Sequence, residues 1–210
     1  MGTDIHGMIQ KKNKQGKWEI AEDNFLSLRH YSLFSVMGNV RNGYGFAGVK
    51  TYDPLPYIQD CRGLPDDVEL NQNDYVVGTE YIDEYGDDSG VWMGEHSYGW
   101  FSLKEALEFD WNKSISISGY VQMNEYLNTI KEKRNPKEWS GGICGRNVVK
   151  ISESQLTDDM IKQSNPNMHI YMTWENHFSD EFKLFLKQLD DLKTKYKYHD
   201  EIRFVFGFDS

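Results

Sequence analysis

The chain has 210 residues, 39% of them hydrophobic and 14% aromatic, enough to build one sizeable core and to place it among globular chains despite a mean hydropathy of −0.69. Its 23 basic and 33 acidic residues leave a formal net charge of −10, which opposes a nucleic-acid polymer as partner, because polymer binding is led by phosphate neutralisation. No apolar run approaches the roughly 18–20 residues of a membrane span, no secretory leader is expected, and Cys61 and Cys144 have neither metal-ligand spacing nor the number for a disulfide scaffold, so a reducing cytoplasm is the expected location.

In chain order, residues 3–11 and 17–21 read as a hairpin. The first strand alternates, with Ile5 and Ile9 on one face and Asp4, His6 and Gln10 on the other. Residues 13–17 supply the turn, Gly16 being able to take a positive φ. Residues 31–37 predict a short helix stopped by Gly38-Asn39. From about 41 to 100 the chain is rich in Gly, Asp, Tyr and Pro and reads as a long loop-rich insertion, a kind of segment that often carries function. Ser102 and Glu105 form a capping box that opens a helix running to about Phe109. Another helix is expected over 120–133, with Val121, Tyr126, Leu127 and Ile130 apolar, ended by Asn135-Pro136. Residues 147–151 read as a strand. Residues 168–174 alternate, with Met168, Ile170, Met172 and Trp174 on one face. Ser179 is expected to cap an amphipathic helix carrying Phe182, Phe185, Leu186, Leu189 and Leu192. A last strand covers 202–208, with Ile202, Phe204, Phe206 and Phe208 on one side. No repeat or linker interrupts the pattern. The expected fold is one α+β domain over 1–210, its mainly antiparallel sheet holding both the N- and C-terminal strands, with helices packed on the sheet.

Candidate chemistry begins at Asp4-Ile5-His6-Gly7. Residues i and i+2 of a strand share a face, so Asp4 and His6 project together, as a carboxylate orienting a base, a metal pair, a polar ligand site or an ordinary polar strand face. The stretch resembles the first motif of calcineurin-like metallophosphoesterases. That family needs Gly-Asp and Gly-Asn-His elements downstream. Here Gly38-Asn39 is followed by Val40, so the family is set aside and no metal is expected. His96, Tyr98 and Trp100 share one face if extended, which suits a stacked, hydrogen-bonded planar group, or else a core strand leading into the capped helix. Arg41-Asn42 and Arg62 offer guanidiniums to a phosphate or carboxylate, or else Arg–Asp bridges that pin the loop. Residues 140–146 form a Gly-rich segment whose favoured reading is a plain turn. Cys144 has no activating neighbour in sequence, and His30, His169, His177 and His199 have no special spacing.

Met1–His6, Tyr31–Phe34, Arg41-Asn42, Arg62–Asp67, His96–Trp100 and Arg203–Asp209 together carry a resemblance. The chain resembles a family of phage and prophage proteins that begin Met-Gly-x-Asp-Ile-His. They continue with Tyr-x-Leu-Phe, Arg-Asn, Arg-Gly-Leu-Pro-x-Asp and His-Ser-x-x-Trp elements, and close on Phe-Asp. The family pattern has a more compact His-Ser-His-Ser-Trp where this chain has Tyr98-Gly99, so no second histidine stands there. The resemblance carries no established activity. By analogy with phage proteins that neutralise nucleotide signals of host immunity, it implies an anti-defence protein of the host cytoplasm that binds and sequesters a small nucleotide-derived molecule. Asp4, His6, Arg41, Asn42, Arg62, His96, Tyr98 and Trp100 would line one pocket: aromatics for the base, arginine for phosphate, carboxylate for ribose hydroxyls. The alternatives are a hydrolase of such a signal using Asp4, His6 and His96, and an interaction protein with no ligand. No cofactor is expected, and homo-oligomerisation is left open.

Overall fold

The computed structural model describes residues 2–23, 29–67, 75–76, 91–163 and 165–209. In chain order its elements are strands β1 (Ile5–Lys12) and β2 (Trp18–Asp23), helix α1 (Tyr31–Gly38), strands β3 (Tyr75–Val76), β4 (Val91–Trp92) and β5 (His96–Ser102), helix α2 (Leu103–Glu108), strand β6 (Ser114–Gln122), helix α3 (Met123–Glu132), strand β7 (Val149–Ser152), helix α4 (Asp158–Gln163), strand β8 (Met168–His177), helices α5 (Phe178–Glu181) and α6 (Lys183–Lys195), and strand β9 (Ile202–Phe208). Contacts divide the chain into two units. The first comprises Met1–Asn42, Leu55–Trp111 and Phe182–Ser210, and the second Gly43–Pro54 and Asn112–Glu181. No helix among the described residues is long and apolar enough to cross a membrane.

The first unit is an antiparallel sheet in the order β2-β1-β9-β5. The α+β class and the shared sheet of the first and last strands are as the sequence leads one to expect. Asn13 closes the hairpin by accepting from the Gln15 and Lys17 amides, with Gly16 at φ 76°. Central β9 pairs Phe208 with Ile5 and Phe204 with Ile9, and on its other side Phe204 with Phe101. These side chains make one apolar face, against which α1 lays Phe34 (5.2 Å from the Phe208 ring) and α6 lays Phe185 (5.9 Å from Phe204). Each such side chain contributes about 1.5–3 kcal/mol of burial before chain entropy is counted.

The opposite face is not the polar surface that the alternation implies. Met8 and Val205 pack with Met93, Leu64, Tyr98 and Trp100, and Gln10 and Arg203 are only 3% and 2% exposed. Segments of the loop-rich middle lie on it, so every residue of β9 is buried. Gly207 has no room for a side chain: a Cβ there would meet the Met93 carbonyl and the Tyr98 ring.

The capping box forms as read, Ser102 accepting from the Glu105 amide. The amphipathic helix does not begin at Ser179, which lies inside the short α5. The backbone leaves helical geometry at Phe182 (φ −108°, ψ 22°), and α6 starts beyond it without a side-chain cap. Its Phe185, Leu189 and Leu192 are buried, whereas Leu186 is only half-buried.

In the second unit, β6 and β8 pair antiparallel from Ser114–His177 to Gln122–His169, and β7 runs parallel to β8. The expected helix over 120–133 loses its first turn to β6, because the Ser-Ile-Ser-Ile alternation continues through Val121 opposite Ile170. Its Tyr126 is buried as expected, but Ile130 is 56% exposed, and Met123 and Thr129 join Tyr126 on the inward face. Ile115, Ile117, Val121, Met168, Ile170, Met172 and Trp174 form the buried face.

Beyond α3, Arg134 grips Glu125 and Glu132 at 2.6 and 2.5 Å. The Arg134 contact, helped by the Lys137 amide, holds the Glu125 carboxyl down at about 2. A carboxyl lowered from 4.5 stabilises the fold above pH 4.5, and that contribution is lost as pH falls through the folded value. The gap in urea midpoint between wild type and Glu125→Gln should therefore be present at pH 6 and narrow as pH falls below 4. A gap independent of pH would contradict this ion pair.

Candidate functional site

Antiparallel pairing brings the start of β1 beside the end of β9, at the same sheet end where β5 begins. Asp209 closes this end. Its amide donates to the Asp4 carbonyl at 3.2 Å, and its Oδ1 accepts from the Asp4 amide at 2.9 Å. Its Oδ2 lies 3.2 Å from His6 Nε2. The carboxylate that orients His6 is thus Asp209, not Asp4. Asp4 turns to Arg29, accepting from Nε at 2.8 Å and from a terminal nitrogen at 2.5 Å. That guanidinium holds the Asp4 carboxyl below the usual carboxylate range, and Asp4 raises the Arg29 pKa in return.

Arg41 belongs to the same end. It follows the left-handed cap of α1, Asn39, and is itself left-handed at φ 52°. Side chains other than glycine seldom adopt this conformation, and it recurs where function fixes the backbone. From there its Nε donates to Thr3 Oγ1 at 2.5 Å, and its guanidinium lies 5.0 Å from the Tyr31 ring centre. The Tyr31 hydroxyl accepts from the buried Thr3 amide. His96 pairs with Phe208, which pairs with Ile5, so two strand spacings, about 10 Å, separate His96 from the start of β1. Ser97, at φ 53°, sits where the β5 register shifts, and its hydroxyl is 2.9 Å from His96 Nδ1. Register puts His96 on the Phe208 face and His6 on the Gly207 face.

The other sequence candidates lie elsewhere or serve the scaffold. Arg62 donates to Glu105 at 3.2 and 3.1 Å and lies 3.6 Å from the Trp100 ring centre. Burial pushes the Glu105 carboxyl up, but the Ser102 amide and Arg62 outweigh it and leave its pKa lowered. Asn42 clamps Leu55, accepting from its amide at 2.7 Å and donating to its carbonyl at 2.9 Å. Tyr98 donates to the Gly94 carbonyl at 2.8 Å. Cys61 and Cys144 are free thiols, and burial pushes Cys61 up to about 11.

The structure therefore gathers Asp4, His6 and Arg41, sets His96 two strands away on the other face of the sheet, and separates Arg62 and Trp100 from them, so the eight expected residues do not line one pocket. Arg29, Thr3 and Tyr31 join this end through contacts that no local sequence signal marks. Asp209 stands out in the sequence only as the end of the closing Phe-Asp motif. No three His, Cys, Asp or Glu side chains converge as metal ligands would among the described residues. The chain matches no family model, no curated protein and no solved structure.

Proposed function

We propose that the chain binds and holds a small nucleotide-derived molecule at the Asp4–His6–Asp209 end of its first sheet, as the resemblance to phage proteins implies, and so acts against host signalling. The observation that carries this reading is the Asp209 carboxylate, which locks the first and last strands around His6, with Arg29 on the neighbouring Asp4 and Arg41 on Thr3. Arg29 and Arg41 can exchange their present partners for phosphate oxygens. Tyr31 offers a flat ring to a base, and the carboxylates accept from ribose hydroxyls. Acids and guanidiniums that already satisfy one another favour exchange binding over bond cleavage, which is why sequestration comes first.

A second reading rests on the His6–Asp209 contact itself. A carboxylate on one ring nitrogen of a histidine is the arrangement that orients a general base. The chain would then be a hydrolase of the same class of ligand.

One experiment separates the two. The protein is incubated with a panel of linear and cyclic nucleotides and denatured, and the released nucleotide is analysed. Unchanged nucleotide supports sequestration, and His6→Ala should then weaken binding about 10–100-fold, the loss expected of one hydrogen bond to a charged group. A new product, abolished in His6→Ala and Asp209→Asn, transfers the assignment to the hydrolase. Neither retained nor altered nucleotide across the panel refutes both.

A further inference from the structure

On the face of the sheet that His6 and Gly207 share, but four residues along β1 and β9 from the Asp4–His6–Asp209 end, Arg203 is a buried guanidinium with an incomplete set of partners. It is 2% exposed. Its Nε donates to Gln10 at 2.8 Å and one terminal nitrogen to Asp67 Oδ1 at 2.6 Å. The other terminal nitrogen, equally buried, has no hydrogen-bond partner among the described residues. The guanidinium lies 3.9 Å from the Trp18 ring centre and 5.8 Å from that of Trp100, which Arg62 also covers. The Trp18 Nε1 donates to Asp67 Oδ2 at 2.7 Å. Asp67 is different in kind from this cradle: its side chain is 62% exposed, and it comes from the loop-rich middle, not from the sheet.

We propose that Arg203, Trp18 and Gln10 form a carboxylate-binding site that the chain occupies with its own Asp67, and that a carboxylate from outside can take Asp67's place. The cradle has the donors that a planar anion requires. A guanidinium presents two parallel N–H groups to a carboxylate in its preferred recognition geometry. Asp67 engages only one terminal nitrogen and spends its second oxygen on the Trp18 indole. The unpartnered nitrogen is therefore the mark of a suboptimal occupant, since an unmade bond to a buried charged group is costly. The aromatic faces exclude water and favour a delocalised cation against them. Because Asp67 reaches the cradle from the solvent side, removing its carboxylate opens the cradle to solvent without touching a strand. A partner's acidic side chain or a free carboxylic acid would meet the same donors.

The test is anion rescue of the full chain carrying Asp67→Ala, with formate and acetate as probes and chloride at equal ionic strength as reference. Asp67→Ala should melt below the wild type in chloride. Formate or acetate should raise its midpoint by about 2–4 °C relative to chloride, in a saturable way. The wild type should respond far less, and Asp67→Ala combined with Trp18→Phe should lose the response, because the indole donor is gone. Equal midpoints in formate and chloride would overturn the proposal, as would a rescue of the same size in the double variant. If Asp67→Ala does not fold in chloride, refolding yield in formate against chloride gives the same reading: recovery in formate alone supports the site, and failure in both refutes it. Binding of nucleotides by Asp67→Ala, measured alongside, distinguishes failure here from failure at the sheet end.

Discussion

Phe206→Ala should lower the stability of the first unit by about 3–5 kcal/mol and its melting midpoint by about 10 °C. Phe206 is fully buried in central β9, with the rings of Phe101 and Phe208 at 5.6 and 5.8 Å. Part of its pocket wall is backbone. A Cβ at Gly99 would come within 2.9 Å of the Phe206 ring and one at Gly38 within 3.1 Å. Those two glycines sit on β5 and on α1, and main chain cannot slide inward as a flexible side chain can. The cavity left by the ring therefore stays open, which puts the cost at the upper end for a large-to-small change. Calorimetry of the variant against Leu184→Ala, whose side chain is 65% exposed, provides the check. A loss below about 1 kcal/mol would show that this face is not the core.

Gly207→Ala should be nearly as damaging for the opposite reason. The added methyl would run into the Met93 carbonyl and the Tyr98 ring. Neither obstacle gives way easily. The segment carrying Met93 is tied down by the Glu95 amide, which donates to the Phe208 carbonyl at 2.7 Å, and Gly94, at φ 82°, lies directly on the Phe208 backbone. Relief requires lifting this segment off β9. That opens the Met8–Val205–Met93 cluster, and the expected cost is roughly 3 kcal/mol, at the top of the range for overpacking. Amide exchange across β9 should accelerate, and the Asp209 contacts at the end of the same strand should loosen with it. An unchanged midpoint with native exchange rates would show that residues 93–95 are not seated on the sheet.

Local pattern made much of this fold legible. Alternation located β1, β8 and β9, the capping box located α2, and the apolar spacing of Phe185, Leu189 and Leu192 marked the buried stripe of α6. Failures came where one local signal competed with another. Tyr120–Gln122 fits a helical stripe as well as a strand, and only pairing with β8 decides it. Ser179 has the chemistry of a cap, but the break falls at Phe182, where no side chain caps the helix. The second face of β9 was illegible because the loop-rich middle that buries Arg203, Val205 and Gly207 has no period of its own. The candidate site was half legible. Asp4 and His6 declare themselves by spacing, but the partner of His6 is Asp209, and a contact spanning almost the whole chain has no local signature. Arg62 showed the reverse: its sequence neighbours suggested a ligand arm, and its contacts with Glu105 and Trp100 make it a brace.

The position of β9 between β1 and β5 also governs the order of events during synthesis. β1 and β5 emerge early, yet neither pairs with the other, and both depend on a strand that follows by more than a hundred residues. At ribosomal rates of about 5–20 residues per second, β1 waits about 10–40 seconds for its neighbour, with one hydrogen-bonding edge open and its apolar side chains unburied. Over that interval the nascent chain is exposed to strand addition by other chains, so cellular yield should depend on chaperone capacity even where the finished protein is stable.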